Sequence, residues 1–295
     1  PDPGTAGDVW YDSATYELKG FVGRAAFSSS ALQNVPAQGY AMGKAGTQSA
    51  TFRAGGFNPN AIIASTEEYN GSGWSTGEDV STGRNELGGG GTVTAGIIMG
   101  GMTSSPTATV ATEEYDGTDW TAGGNMPDTR AKGSSAGTQT AALWVGGLDN
   151  PQGVDTAVAE TYEYDGSSWT DGGDQNTARL KSCSGGTLTA AIILGGNAFP
   201  HSTAIEEYNG TAWTTSPATL PTVKTSGGFG GTQTQAVIMG GTTGDNVGTS
   251  FIWDGSAISS SATMSVARQL NSGGAGTGTH LASLMAGGNP YSGSQ

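Results

Sequence analysis

A repeat constrains the fold more than any other feature of this sequence. A Gly-Gly pair closes an apolar run six times, at Gly55-Gly56, Gly100-Gly101, Gly146-Gly147, Gly195-Gly196, Gly240-Gly241 and Gly287-Gly288, with spacings of 45, 46, 49, 45 and 47 residues. A Gly-Thr step precedes each run at Gly46, Gly91, Gly137, Gly186, Gly231 and Gly276, the sixth copy losing the residue that follows. Four of the first five pairs lead to an aromatic-turn-aromatic signature: Glu67-Glu68-Tyr69-Asn70-Gly71 with Trp74, Glu113-Glu114-Tyr115-Asp116-Gly117 with Trp120, Tyr164-Asp165-Gly166 with Trp169, and Glu206-Glu207-Tyr208-Asn209-Gly210 with Trp213. The fifth copy is degenerate, Trp253-Asp254-Gly255 with Ile258. Self-similarity at this period marks one array of stacked modules, each unable to bury its apolar face alone.

Each unit reads as four short strands. Asn-Gly and Asp-Gly flanked by strand-forming residues signal a tight hairpin, so the Glu-Glu-Tyr segment pairs antiparallel with the Trp segment. The run before each Gly-Gly, such as Thr140 to Val145, is apolar at nearly every position and therefore covered on both faces. The strand before it is almost bare of large side chains, as in Gly88 to Gly91, Lys132 to Gly137, Ser182 to Gly186 and Ser226 to Gly231. Crowding around an axis demands that, because glycine lets backbones approach closely. No stretch carries a helical period with caps. The expectation is an all-β chain, a β-propeller of four-stranded blades.

The ends set the blade count. The array starts with the outer half of a unit and stops, at Gly287-Gly288, after the inner half of one. Phe21 lies 48 residues before Tyr69 and Phe27 lies 47 before Trp74, so residues 16–29 are expected to supply two outer strands. The expected architecture is six blades, closed by N-terminal outer strands pairing with C-terminal inner strands, which removes open sheet edges. The domain division that follows is a lead-in segment 1–15, a propeller 16–289 and a tail 290–295.

Composition narrows the function classes. With 52 Gly but 23 aromatic residues (7 Trp, 9 Tyr, 7 Phe) the chain is neither collagen nor a disordered low-complexity polymer. A net charge of -14 repels phosphate backbones, so nucleic acid is not an expected partner. One Cys, Cys183, leaves no intramolecular disulfide to read. The longest apolar runs, Ala141 to Val145 and Ala190 to Leu194, are far short of the ~20 residues of a membrane helix, so no membrane insertion is expected. The chain starts at Pro1 without Met, and a processed or trimmed N-terminus is expected.

Double Gly after an apolar strand, a Tyr-Asp-Gly turn, a Trp, and an Arg before the next inner strand together resemble the kelch repeat of galactose-oxidase-like propellers, over residues 9–289. The particular wording here, Gly-Thr-Gln-Thr-Ala-Ala, Glu-Glu-Tyr-Asp-Gly and Ser-Ser-Trp-Thr, resembles repeat arrays in structural proteins of tailed bacteriophages, notably marine cyanophages. The lead-in Gly7-Asp8-Val9-Trp10-Tyr11-Asp12 is similar to segments of phage tail and fibre proteins. The resemblance implies a virion structural protein.

Catalytic chemistry finds little material. His201 and His280 lie in different units at different repeat phases, and neither has a Cys or His neighbour at metal-ligand spacing. Kelch-like propellers include a copper oxidase with Tyr, His and Cys ligands, but Cys183 sits in a small-residue inner strand with no His pair to match. The carboxylate pairs Glu67/Glu68, Glu113/Glu114 and Glu206/Glu207 point to opposite faces of a strand, and their recurrence argues for structure. The Trp series is expected to pack between blades. No catalytic residue, metal or cofactor is assigned.

The cations are few and phased. Arg84, Arg130, Arg179, Lys224 and Arg268, spaced 46, 49, 45 and 44, mark the start of each inner strand. In an antiparallel meander they share a face with the least repetitive loops: Phe57 to Asn60, Met102 to Pro106, Leu148 to Asp155, Asn197 to His201 and Thr242 to Asn246. Two readings stay open. The cations either tie the structure by pairing with Glu or backbone carbonyls, or they form a positive ring at the channel mouth for anionic sugars or a partner's carboxylates. Loops on a rigid scaffold carry recognition, so the candidate binding set adds Phe57, Asn58, Asn60, Asp149, Asn150, Phe199, His201, Asp245 and Asn246. The expected function is a non-enzymatic virion protein, a tail-fibre, baseplate or capsid-decoration module contacting host glycans or other virion proteins, with homo-oligomerisation open. A secreted bacterial lectin-like or scaffolding propeller is the alternative, and a propeller glycosidase or oxidase stands further back.

Overall fold

A computed structural model describes residues 9–12, 17–20, 43–58, 60–149, 156–198, 200–269 and 277–285. The described residues form strands and turns and no helix, and the strands build a β-propeller. Five blades are complete, each an antiparallel meander of four strands running outward from the axis. Blade I is built from Gly43–Gly46, Thr51–Ala54, Thr66–Tyr69 and Trp74–Gly77. Blade II uses Gly88–Thr92, Ala95–Met99, Thr112–Tyr115 and Trp120–Ala122, and blade III uses Ser134–Thr138, Ala141–Val145, Thr161–Tyr164 and Trp169–Asp171. Blade IV uses Cys183–Thr187, Ala190–Leu194, Ala204–Tyr208 and Trp213–Thr219, and blade V uses Gly228–Gly231, Ala236–Met239, Ser250–Trp253 and Ile258–Ser260.

The expectation of six complete blades is corrected to five. The sixth unit contributes one two-stranded hairpin, Thr277–Thr279 with Ala282–Leu284. Its inner strand lies beside the inner strands of both blade V and blade I. At the N-terminus, Glu17–Gly20 pairs with Val9–Asp12, Tyr11 opposite Leu18, instead of extending the C-terminal hairpin. A short connection makes that local pairing cheaper in loop-closure entropy than one with a strand more than 200 residues away. This hairpin crosses the expected boundary between residues 15 and 16. Phe21, Phe27 and the tail 290–295 lie outside the described residues.

The second strand of each blade is the core. Ala142, Leu143, Trp144 and Val145 are all buried, as are Ile192, Ile193 and Leu194, which is what contact with a blade on each side requires. Apolar clusters sit between neighbouring blades, for instance Ile97, Met99 and Met126 of blade II and its exit against Trp144, Tyr162 and Trp169 of blade III. The inner strands are held at backbone distance. Ser135 Oγ donates to Gly89 O at 3.0 Å and accepts from Gly89 N at 3.1 Å, and Ser184 Oγ donates to Ser135 O at 2.9 Å.

Tyrosine and tryptophan side chains also join blades II to IV each to the blade before it in the chain. Tyr115 donates to Glu68 of blade I at 2.6 Å, Tyr164 to Glu114 of blade II at 2.6 Å, and Tyr208 to Glu163 of blade III. The paired indoles do the same: Trp120 to Thr66 at 3.0 Å, Trp169 to Thr112 at 2.9 Å and Trp213 to Thr161 at 2.9 Å. Burial and the Glu114 carboxylate push the Tyr164 phenol up to about 12, so it stays a donor at neutral pH. Gln139 and Gln233 reach back as well, each to two backbone carbonyls of the preceding blade.

Candidate functional site

The loop entering each inner strand lies against the loop leaving the second strand. The pairings Asn85 with Met102, Leu180 with Asn197 and Thr225 with Thr242, and the two-residue ladder of Arg130–Ala131 with Leu148–Asp149, place both loop sets at one end of the propeller. That end is the candidate site, and the phased cations sit beneath its surface.

Four of the five cations are buried and engaged inside their own blade. The Arg84 guanidinium closes on Glu113 and donates to Ala111 O at 2.8 Å. Arg179 closes on Glu206 and donates to Gly195 O at 3.0 Å and Ala204 O at 3.1 Å. In blades III and V the carboxylate position is aromatic, and the cation keeps its place against the ring. Arg130 lies 5.4 Å from the Tyr162 ring, donates to the Tyr162 hydroxyl at 2.8 Å and pairs with Asp149 at 2.9 Å. Lys224 lies 5.1 Å from the Phe251 ring and donates to Gly240 O at 2.5 Å, Thr249 O at 2.7 Å and Thr249 Oγ1 at 3.1 Å. Burial pushes the Lys224 ammonium down to about 8, with nearby Cys183 acting the other way. Burial likewise lowers the affinity of Arg84 and Arg179 for their protons, against the pull of Glu113 and Glu206.

An exposed positive ring is therefore not what Arg84, Arg130, Arg179 and Lys224 form. They tie the entering loop to the third strand, where a buried carboxylate or aromatic ring needs a partner. Arg268 is half-buried. The backbone of the same residues makes the joint to the preceding blade. The second glycine of each pair donates to it: Gly56 to Arg84 O at 2.7 Å, Gly101 to Arg130 O at 2.8 Å, Gly147 to Arg179 O at 3.1 Å, Gly196 to Lys224 O at 2.8 Å and Gly241 to Arg268 O at 2.9 Å. The first glycine faces the same carbonyl. A Cβ on Gly55 or Gly100 would stand 2.6 or 2.7 Å from it, at φ of +64° or +59°, so the doubled glycine is a requirement of this joint.

The loops carry the remaining candidates. Phe57 pairs with Ile62, and Asn58 Oδ1 accepts from the amides of Asn60 at 2.9 Å and Ala61 at 2.8 Å, which closes that loop on itself. Asp149 is largely exposed beside Arg130. His201 is exposed and pairs with Asn197, and Asn246 pairs with Thr242. Asp245 is exposed, its carbonyl accepting from Thr243 N at 3.1 Å. Asn150 and Phe199 lie outside the described residues. The Asp-Gly turns, by contrast, are local hairpin turns: Asp165 Oδ1 accepts from the amides of Ser167 and Ser168, both at 2.8 Å, which holds its carboxyl down at about 2. The Cys183 thiol is buried and pushed up to about 11. Among the described residues no three His, Cys, Asp or Glu side chains gather as metal ligands.

Two groups escaped the sequence reading. Arg53, on the second strand of blade I, is buried and pairs with Glu67 at 2.6 Å. It stands where the other blades have Ile98, Trp144, Ile193 and Ile238, so a cation inside an otherwise apolar strand was the signal. The other group lies two residues after four of the five phased cations: Glu86, Lys132, Lys181 and Ser226 all have left-handed backbones, φ 56° to 58°. Their amides and carbonyls chain around the axis, Lys132 N to Glu86 O at 2.9 Å, Lys181 N to Lys132 O at 2.9 Å and Ser226 N to Lys181 O at 2.8 Å. The backbone of these residues links the inner-strand entries of blades II to V.

The fold defines the class: a β-propeller whose variable loops and axial mouth share one face. No protein-family model matches the chain, and no curated protein is significantly similar to it.

Proposed function

We propose that this chain is a non-enzymatic structural module of a tailed-phage virion, a tail-fibre, baseplate or capsid-decoration propeller whose loop face attaches to host glycans or neighbouring virion subunits. One observation supports this reading most: every blade spends its buried cation on internal partners, and so holds rigid a face on which the least repetitive residues are displayed. Rigid display of variable loops is the arrangement that recognition uses. The likeness of the repeats to cyanophage arrays supplies the setting.

The test is to locate the protein in purified particles from its source by mass spectrometry and immunogold electron microscopy, and to screen the pure protein on a glycan array. Labelled particles with glycan or subunit binding are expected. A protein absent from particles that still binds glycans would transfer the reading to the secreted lectin-like alternative.

A further inference from the structure

The outer hairpins of blades I and IV carry a reactive dipeptide that the other blades lack. Their turns read Asn70-Gly71 and Asn209-Gly210, where blades II, III and V have Asp116-Gly117, Asp165-Gly166 and Asp254-Gly255. Both asparagines are exposed. Among the described residues neither the Gly71 nor the Gly210 amide makes a hydrogen bond, and neither does the side-chain nitrogen of Asn70 or Asn209.

Each asparagine closes its side chain over that free amide. Asn70 Oδ1 accepts from Ser72 N at 3.0 Å, Ser72 Oγ at 2.9 Å and Gly73 N at 3.0 Å. Asn209 Oδ1 accepts from Thr211 N at 3.0 Å and Ala212 N at 2.9 Å. The bond from the amide two residues on folds the side-chain carbonyl forward, so the ring it closes contains the intervening glycine nitrogen. Glycine has no Cβ to screen that nitrogen. Donors gathered on a carbonyl oxygen that gains charge under attack form an oxyanion hole, with three donors at Asn70 against two at Asn209.

We propose that the turns at Asn70 and Asn209 are self-modification sites that convert asparagine to aspartate through a cyclic imide, with Asn70 the faster. Gly71 N gives its proton to water or hydroxide and attacks Asn70 Cγ, and charge develops on Oδ1 against its three donors. The intermediate collapses by breaking Cγ–Nδ2, and that nitrogen takes a proton from water and leaves as ammonia. Water then opens the imide. Cleavage at Cγ gives Asp in the normal chain, and cleavage at the backbone carbonyl gives an isoaspartyl link. The first product has a place already prepared: Asp116, Asp165 and Asp254 hold the same turn position, each with Oδ1 accepting from the amides two and three residues on. Those bonds hold the Asp165 carboxyl down at about 2, ionised and therefore a poor target for a second attack. Each event adds one negative charge to the turn. The chemistry is independent of the function proposed above.

The experiment incubates wild type, Ser72→Ala and Asn70→Asp at mildly alkaline pH, with thermal melting of each, and follows residues 70 and 209 by peptide mass mapping that separates Asp from isoaspartate. Wild type unfolded in guanidinium is the reference for both sites. In the folded wild type Asn70 converts ahead of Asn209 and no slower than in the unfolded chain. Ser72→Ala slows conversion at residue 70 by about fivefold, the worth of one hydrogen bond, and leaves residue 209 unchanged. That effect disappears in the unfolded chain, and Asn70→Asp melts with the wild type. Survival of Asn70 in the folded chain alone, conversion of Asn209 ahead of it, or a folded Ser72→Ala variant as fast as wild type overturns the proposal. If Ser72→Ala does not fold, the order of the two wild-type sites decides alone.

Discussion

Arg179 and Glu206 form an ion pair with both side chains out of contact with solvent, and the backbone carbonyl of the same Arg179 receives the amide of Gly147 from the preceding blade. One residue thus anchors its own blade and the joint behind it. Removing one member of a buried pair strands the other charge, at a cost of about 3–5 kcal/mol. Arg179→Met and Glu206→Leu are each expected to lose stability on that scale in urea unfolding, and the double variant to lose clearly less than their sum. Additive losses would remove the pairing from the account.

The doubled glycine gives a sharper contrast. Gly100→Ala puts a Cβ 2.7 Å from Arg130 O at a φ of +59°, whereas Gly73→Ala meets nothing within 4 Å. The first substitution is expected to cost more than about 1 kcal/mol and the second to stay within about 0.5. Thermal melting of the two variants side by side decides it.

Lys224 makes stability depend on pH in an unusual direction. Its folded-state value of about 8 lies below the ordinary lysine value. Between the two, an unfolded chain holds a proton that the folded chain has released, so its contribution to stability rises from about pH 8 to about pH 10.4 and is flat below. The difference in unfolding free energy between wild type and Lys224→Met should follow that curve. A flat or falling difference over this window would contradict it.

The tyrosine latches separate the joints. Tyr164→Phe removes a bond to Glu114 of another blade, while Tyr69→Phe removes one within its own turn. The first is expected to cost about 1 kcal/mol and to speed hydrogen exchange at the seam between blades II and III. Equal exchange at that seam in both variants would assign the latch no role in joining blades.

The repeat in the sequence carried most of the fold. Alternating glycine-rich and apolar strands, the Asp-Gly hairpins and the face shared by cations and loops all follow from local pattern and the period of two. The blade count did not, because Glu17–Gly20 has a nearer partner in Val9–Asp12, and a phase match across the whole chain is silent about such local competition. The site was legible only to within two residues. Phase marked Arg84 and Arg179, but Glu113 and Glu206, one strand away, hold them inside, while Glu86 and Lys181 next door pair with each other from a left-handed backbone that sequence does not display. Arg53 was hidden for the opposite reason: its partner Glu67 was noticed as part of a pair whose strand neighbour supplies the cation.

The tyrosine, tryptophan and glutamine joints between blades point backward along the chain. Tyr115, Tyr164 and Tyr208, Trp120, Trp169 and Trp213, and Gln139 and Gln233 find their acceptors on the blade synthesised before. Each blade emerging from the ribosome therefore meets a finished docking edge rather than waiting for one, and the order of translation is also the order in which the seams can close. Growth of the array by duplicating a whole repeat keeps that property, since every copy brings its own donors to an edge already in place.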